Sequence, residues 1–252
     1  MKTPRSLARG IIPALLAALL PLVDCDGATE EGFQSLFNGR DLSGWAGLPG
    51  FWSVRDGAIT GQTTPERLIK ANTFLVWKGG EPANFELRLS FRLTAQNGEN
   101  RANSGIQLRS RYLNRETFSV GGYQADIDSS GRYTGMFYEE RGRGVIMTPG
   151  ERIRLTPSPE NSTAKKKSLV QKRSPLRPAA EILAIYRIGD WNDLTVIARG
   201  NHVQIFLNGV QTADAIDDDP GLAAKSGLIA IQLHQGPPMT IQIRNPRLKI
   251  LP

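Results

Sequence analysis

From Phe85 to Leu93 the odd-numbered residues, Phe85, Leu87, Leu89, Phe91 and Leu93, are large and apolar, while Glu86, Arg88, Ser90 and Arg92 between them are polar. In an extended strand that order gives one apolar face and one wet face. In a helix it would scatter the five apolar groups around the circumference. A strand of this kind needs a second layer over its apolar face. Shorter stretches of the same character run through Trp52–Val54, Ala58–Gly61, Phe74–Trp77, Gly105–Arg111, Tyr123–Asp128, Tyr133–Glu139, Asp193–Ala198, Val203–Leu207, Gly227–Leu233 and Thr240–Ile250. Helical periodicity is almost absent, and Asn208-Gly209 is a pair favoured by two-residue hairpin turns. Roughly a dozen short strands in about two hundred residues predict one all-β domain, a β-sandwich or jelly roll. Its expected span is 32–252.

Ahead of that domain, Lys2, Arg5 and Arg9 precede an apolar run from Ile11 to Val23. The run is too short to cross a bilayer and has the length of a secretory h-region, so residues 1–24 are read as a signal peptide. Export follows, to the periplasm, the cell envelope or the medium. The single cysteine, Cys25, stands where a lipoprotein signal puts its lipidated residue, although Asp24 replaces the small residue usual before it. Ordinary cleavage nearby is the alternative, and a lipid anchor at Cys25 is the one membrane link this reading offers. One cysteine makes no internal disulfide, so the core itself must hold the fold.

A formal charge of +7 invites a nucleic-acid partner, but the location of the excess argues against one. Residues 161–180 hold Lys165, Lys166, Lys167, Lys172, Arg173 and Arg177 and no acid; without them and the leader the chain is close to neutral. The surrounding stretch, about 156–180, also holds Pro157, Pro159, Pro175 and Pro178. It reads as a solvated, looped insertion, with contact to an anionic surface as the alternative.

The segment Gly121–Gly144 is the richest in chemistry. Alternation sends Tyr123, Ala125 and Ile127 to the core and Gln124, Asp126 and Asp128 to the other face, and a second strand follows with Tyr138 and Glu139 near its end. A solvated hairpin whose acids only pair with its arginines is the competing reading. On Gly105–Arg111 the same rule puts Gln107, Arg109 and Arg111 outward, and on Gly227–His234 it puts Gln232 and His234 outward. If these strands share a sheet, Gln107, Arg109, Gln124, Asp126, Gln232 and His234 line one face with Tyr138 nearby. Such a set suits a polyhydroxylated ligand, which needs donors and acceptors in fixed directions. The sequence has no phosphate-cradling glycine loop, no zinc-type Cys/His spacing, no GxSxG elbow and no ExDxxE-type acid run. Asp126 and Asp128 could equally pair with arginines or hold a structural calcium.

Seven blocks together carry a resemblance: LFNGRDLSGW (Leu36–Trp45), WSVRDGAITG (Trp52–Gly61), NSGIQLRS (Asn103–Ser110), GGYQADID (Gly121–Asp128), GDWNDLTV (Gly189–Val196), IFLNGV (Ile205–Val210) and IAIQLHQGPP (Ile229–Pro238). In that order they resemble the 3-keto-disaccharide hydrolase domain family, also described as 3-keto-glucoside lyase and 3-keto-2-hydroxy-glucal hydratase. The resemblance implies a concanavalin A-like, lectin and glucanase type of β-sandwich. Many members carry Glu then Gln where this chain has Gln124 then Asp126, and a Tyr-Gln-Ala-Asp version also occurs in the family.

The implied reaction is deprotonation at C2 of a 3-keto-glycoside, loss of the C1 substituent, and hydration. The substrate would be an oxidised sugar or disaccharide. Carried onto this chain, Asp126 is the expected base, His234 a proton donor or second base, Arg109 the holder of the keto or enolate oxygen, and Glu139 a further acid. Gln107, Gln124, Tyr138 and Gln232 would bind substrate hydroxyls. No cofactor and no metal ligand are assigned, with a divalent ion at the keto oxygen left open. A non-catalytic carbohydrate-binding module is the alternative, since the fold hosts lectins as well as enzymes; an envelope structural protein is a third.

Overall fold

The structure is a computed structural model that describes residues 30–96, 98, 101–158 and 168–252. The leader, Cys25 and the Lys165–Lys167 run lie outside the described residues. Strands are numbered along the chain. One sheet runs in the order β12 (Leu169–Pro175), β11 (Glu151–Thr156), β15 (Val210–Asp217), β14 (His202–Leu207), β13 (Asn192–Arg199), β6 (Phe85–Ala95), β17 (Met239–Ile250), β4 (Ala58–Gln62) and β3 (Trp52–Arg55), with β1 (Gln34–Ser35) also on β17. The other runs β10 (Gly144–Met147), β9 (Phe137–Glu140), β8 (Ser119–Asp128), β7 (Asn103–Asn114), β16 (Leu228–Leu233), β5 (Thr73–Trp77) and β2 (Trp45–Ala46). Together they make a β-sandwich.

The alternating stretch at Phe85–Leu93 is β6, held between β13 and β17 with its five apolar side chains buried. Each contributes roughly 1.5–3 kcal/mol of burial. They share one core with Ile106, Leu108, Tyr123, Ala125, Ile127, Ile229, Ile231 and Leu233 from the second sheet. Asn208 and Gly209 both have positive φ, 48° and 80°, as the predicted hairpin turn requires.

Two readings need correction. The basic stretch is not a loop beyond Leu169, because β12 pairs along β11, with Arg173 on Glu151, and α1 (Ala179–Ile185) follows. A charged, proline-ended edge strand hides its pattern from an alternation test. The strand expected from Tyr133 begins only at Phe137, since the preceding residues form a turn closed by Thr134 Oγ1 donating to the Asp128 carbonyl.

The site depends on the second sheet's outer face, opposite the shared core. At one end Phe74, Val76, Val120, Leu228 and Ala230 form a small apolar cluster against Tyr112 and Phe118. At the other end the same face is polar, and it forms the wall of a cleft.

Candidate functional site

Gln124 in β8 sits opposite Gln107 in β7 and Tyr138 in β9, so these three side chains form one row on the outer face. Asp126 lies two residues along, opposite Gly105. That glycine makes room, because a Cβ on it would come within 2.5 Å of the Gln124 side chain. The buried amides form a directed chain. Ser110 Oγ donates to Gln107 Oε1 at 2.6 Å, Gln107 Nε2 to Gln124 Oε1 at 2.6 Å, and Gln124 Nε2 to Asp126 Oδ1 at 2.9 Å. Asn103 Nδ2 donates to the other carboxylate oxygen at 3.1 Å.

Asp126 is 4% exposed. Burial is the main influence on its proton, opposed by the amide hydrogen bonds and reinforced by Asp128 and Glu140, so its pKa rises to about 7. Arg109, expected on the same face, does not reach it, because its guanidinium is bound to backbone carbonyls elsewhere. Folding therefore favours the protonated form, and the stability contributed by this group falls as pH rises from 3.8 to about 7. A shift of that size corresponds to at most roughly 4 kcal/mol. Thermal unfolding at pH 5 and pH 8 should show Asp126→Asn gaining stability relative to the natural protein at the higher pH. An equal difference at both pH values would show that the carboxyl is not destabilised by burial.

The cleft beneath these groups has a volume of about 590 Å³ and is lined by Gln124, Asp126, Tyr138, Gln232 and His234 among others. Gln232 is 1% exposed; its Oε1 has no partner, and its Nε2 reaches Glu140 at only 3.4 Å. A buried acceptor in that condition asks for a donor from a ligand. Burial pushes the His234 imidazole below its ordinary value. Its Nδ1 lies against the Gln235 carbonyl, which can only accept, so Nδ1 carries the proton and Nε2 presents a lone pair. In its neutral form His234 thus offers Nε2 to the cleft as an acceptor, the second-base part of its expected role. Burial, then Glu140 and Asp126, raise the Tyr138 phenol.

Two expected site residues lie off the cleft, and a third is engaged at its border. Arg109 occupies a bulge in β7 with φ 46°, and its guanidinium donates to the carbonyls of Ala83, Gly200 and Ala224. The extra residue turns Arg109 off the outer face and gives its place to Ser110. Gln107 lies behind Gln124 and supports it without lining the cleft. Glu139 borders the cleft, but its carboxylate is engaged by Arg143 at 2.5 Å.

The acid that sequence reasoning missed is Glu140. It lines the cleft, is 7% exposed, and burial raises its pKa above the ordinary carboxylate value against the lowering effects of Arg141 and Asn72. Continuing the alternation from outward Tyr138 would have found it. Asn103, Asn72, Tyr133 and Arg141 also line the cleft, and Asn103 shares its parity with Gly105 and Gln107. Among the described residues no three His, Cys, Asp or Glu side chains are grouped as a metal site.

Two solved glycosyl hydrolase candidates share the fold, and a carbohydrate-binding module aligns more loosely. A candidate glycosyl hydrolase from Parabacteroides distasonis aligns with a TM-score of 0.53 at 18% identity, covering 88% of this chain and 95% of its own. A second from that organism gives 0.52 at 17%, covering 87% and 99%. The carbohydrate-binding module CBM66 from Bacillus subtilis gives 0.49 at 15%, covering 82% and 95%. No curated protein matches the chain. The family model for the 3-keto-alpha-glucoside-1,2-lyase-like domain matches residues 32–249, nearly the whole sandwich, and the chain belongs to that family.

Proposed function

We propose that the cleft removes the C2 proton of a 3-keto-glycoside, expels the C1 substituent and adds water, a net hydrolysis. The observation that carries this reading is Asp126, a buried carboxyl held by two amides, with a pKa of about 7, in a cleft of hydroxyl-binding groups. A C3 ketone acidifies the C2 hydrogen because the electrons left behind spread onto the carbonyl oxygen. A base whose pKa lies near the working pH combines an available lone pair with driving force.

Asp126 takes the C2 proton, and the electron pair moves to the C3 oxygen as an enolate. Arg141, the cation among the described residues lining the cleft, is the group for that oxygen now that Arg109 is committed elsewhere. As the enolate collapses, the C1–O bond breaks and Glu140, whose hold on a proton burial strengthens, gives a proton to the departing oxygen. Water then bonds to C1 of the 2-hydroxy-glucal, its proton passes to His234 Nε2, and Asp126 returns its own proton to C2. His234 passes its proton to Glu140, which restores the starting state. Gln124, Tyr138 and Gln232 orient hydroxyls. The reading includes export, with lipidation of Cys25 or plain cleavage as its two forms. It needs no cofactor; turnover lost on exhaustive chelation and restored by a divalent ion would put a metal at the keto oxygen instead.

Purified protein should release the C1 substituent from a 3-keto-glucoside, with kcat/KM rising through about pH 7 as Asp126 loses its proton. Substrate deuterated at C2 should react more slowly. Turnover with no C2 isotope effect and no solvent deuterium at C2 would sink the elimination route. Binding without turnover would make the protein a lectin-like module, and neither would make it a structural envelope protein.

A further inference from the structure

A hollow of about 370 Å³ opens beside the cleft and shares Asn103, His234 and Gln235 with it. Its chemistry is different. Ala102, Pro237 and Met239 give it apolar walls, with Arg101, Ser130, His234 and Gln235 also on its lining, and the two polar groups on the side of the cleft's carboxylate strand, Asp128 and Asn103, are already engaged. Asp128 accepts from Ser130 Oγ at 2.5 Å and from the backbone N–H groups of Ser130 and Tyr133 at 3.3 Å each, and Asn103 donates to Asp126 at 3.1 Å. A second sugar ring seated there would press hydroxyls against the side chains of Ala102, Pro237 and Met239, which offer them no partner, and that costs free energy. An apolar group would leave nothing unpaired and would remove apolar surface from water.

We infer that this hollow holds the C1 substituent of the substrate and prefers an aromatic or other apolar aglycone to a second hexose. The inference rests on the cleft being the 3-keto-glycoside site. His234 stands on the border of the two cavities, which is where the glycosidic bond of a substrate spanning both must cross. Once the aglycone leaves, water entering through the hollow meets C1 beside the His234 lone pair, so the same geometry serves the hydration step.

The test compares the phenyl and methyl 3-keto-glucosides and a 3-keto-disaccharide, with affinity measured by calorimetry on Asp126→Asn and kcat/KM on the natural protein. The phenyl compound should bind about ten-fold more tightly than either of the others, the usual scale for a filled apolar subsite. Pro237→Asp, at an exposed position, should abolish that preference while leaving the methyl compound within about two-fold. Equal affinities for phenyl and methyl, a tighter disaccharide, or a Pro237→Asp loss shared by both glucosides would overturn the hollow. If the phenyl compound keeps its preference in binding but releases no phenol, the lyase reading fails and the hollow stands. If none of the three binds, both fall.

Discussion

Asp126→Asn is expected to lower turnover of 3-keto-glycosides by at least about 10²-fold, the lower end of what a removed general base costs. The variant should still fold, because its surroundings can adapt to an amide. The oxygen of the introduced amide keeps the hydrogen bond from Gln124, and its new N–H₂ faces Asn103, whose own amide can rotate from donor to acceptor. Substrate affinity should change little, since Gln232, Tyr138 and the rest of the cleft are untouched. The separation of kcat from KM is the informative result. Near-normal turnover would move the base to His234 or Glu140, the remaining acceptors in the cleft. A large loss of thermal stability at all pH values would make Asp126 a structural residue, and the solvated-hairpin reading of its strand would stand in modified form.

The position of Asp126 was legible from its neighbours, because apolar Ala125 and Ile127 can only face the core and must turn the residue between them outward. Its proton affinity was not legible. That comes first from burial, with no cation beside it to offset it, and the cation expected there, Arg109, is removed by one extra residue in β7 that no pattern in NSGIQLRS announces. Glu139 and Glu140 show how much hangs on a single step of register. Adjacent strand residues face opposite ways, so assigning the acid one place early picks a carboxylate that Arg143 engages at the cleft's border in place of Glu140. The fold itself was easier, because many strands repeat the same signal. The parts missed include the short strands β1, β2, β10 and β11 as well as β12 and α1, and in β12 lysine, arginine and proline outweigh any apolar alternation.

Replacing Arg143 with methionine is expected to destabilise the protein by about 3–5 kcal/mol, the cost of breaking a buried ion pair by removing one partner. For a chain of this size that lowers Tm by roughly 6–20 °C. The guanidinium is 5% exposed and joins Glu139 at 2.5 Å to Asp217 at 2.6 Å, while the Tyr123 hydroxyl donates to the same Asp217 carboxylate. A further contact at 2.8 Å reaches Ser168, which donates to Asp219. Burial alone would push the guanidinium pKa down, but the hydrogen bonds and charges of Asp217 and Glu139 push it up instead. Arg143 therefore ties the β9–β10 hairpin, which carries Glu140 and Arg141 into the cleft, to the end of β15. Without it the buried carboxylates of Glu139 and Asp217 both lose their cation. Adding Glu139→Gln and Asp217→Asn to the methionine variant removes those charges and should recover most of the lost stability, because the penalty lies in the orphaned carboxylates more than in the lost attraction. Thermal unfolding of the single and triple variants decides the matter. A single variant melting within about 2 °C of the natural protein would mean the network contributes little, and a triple variant no better than the single would place the cost in packing.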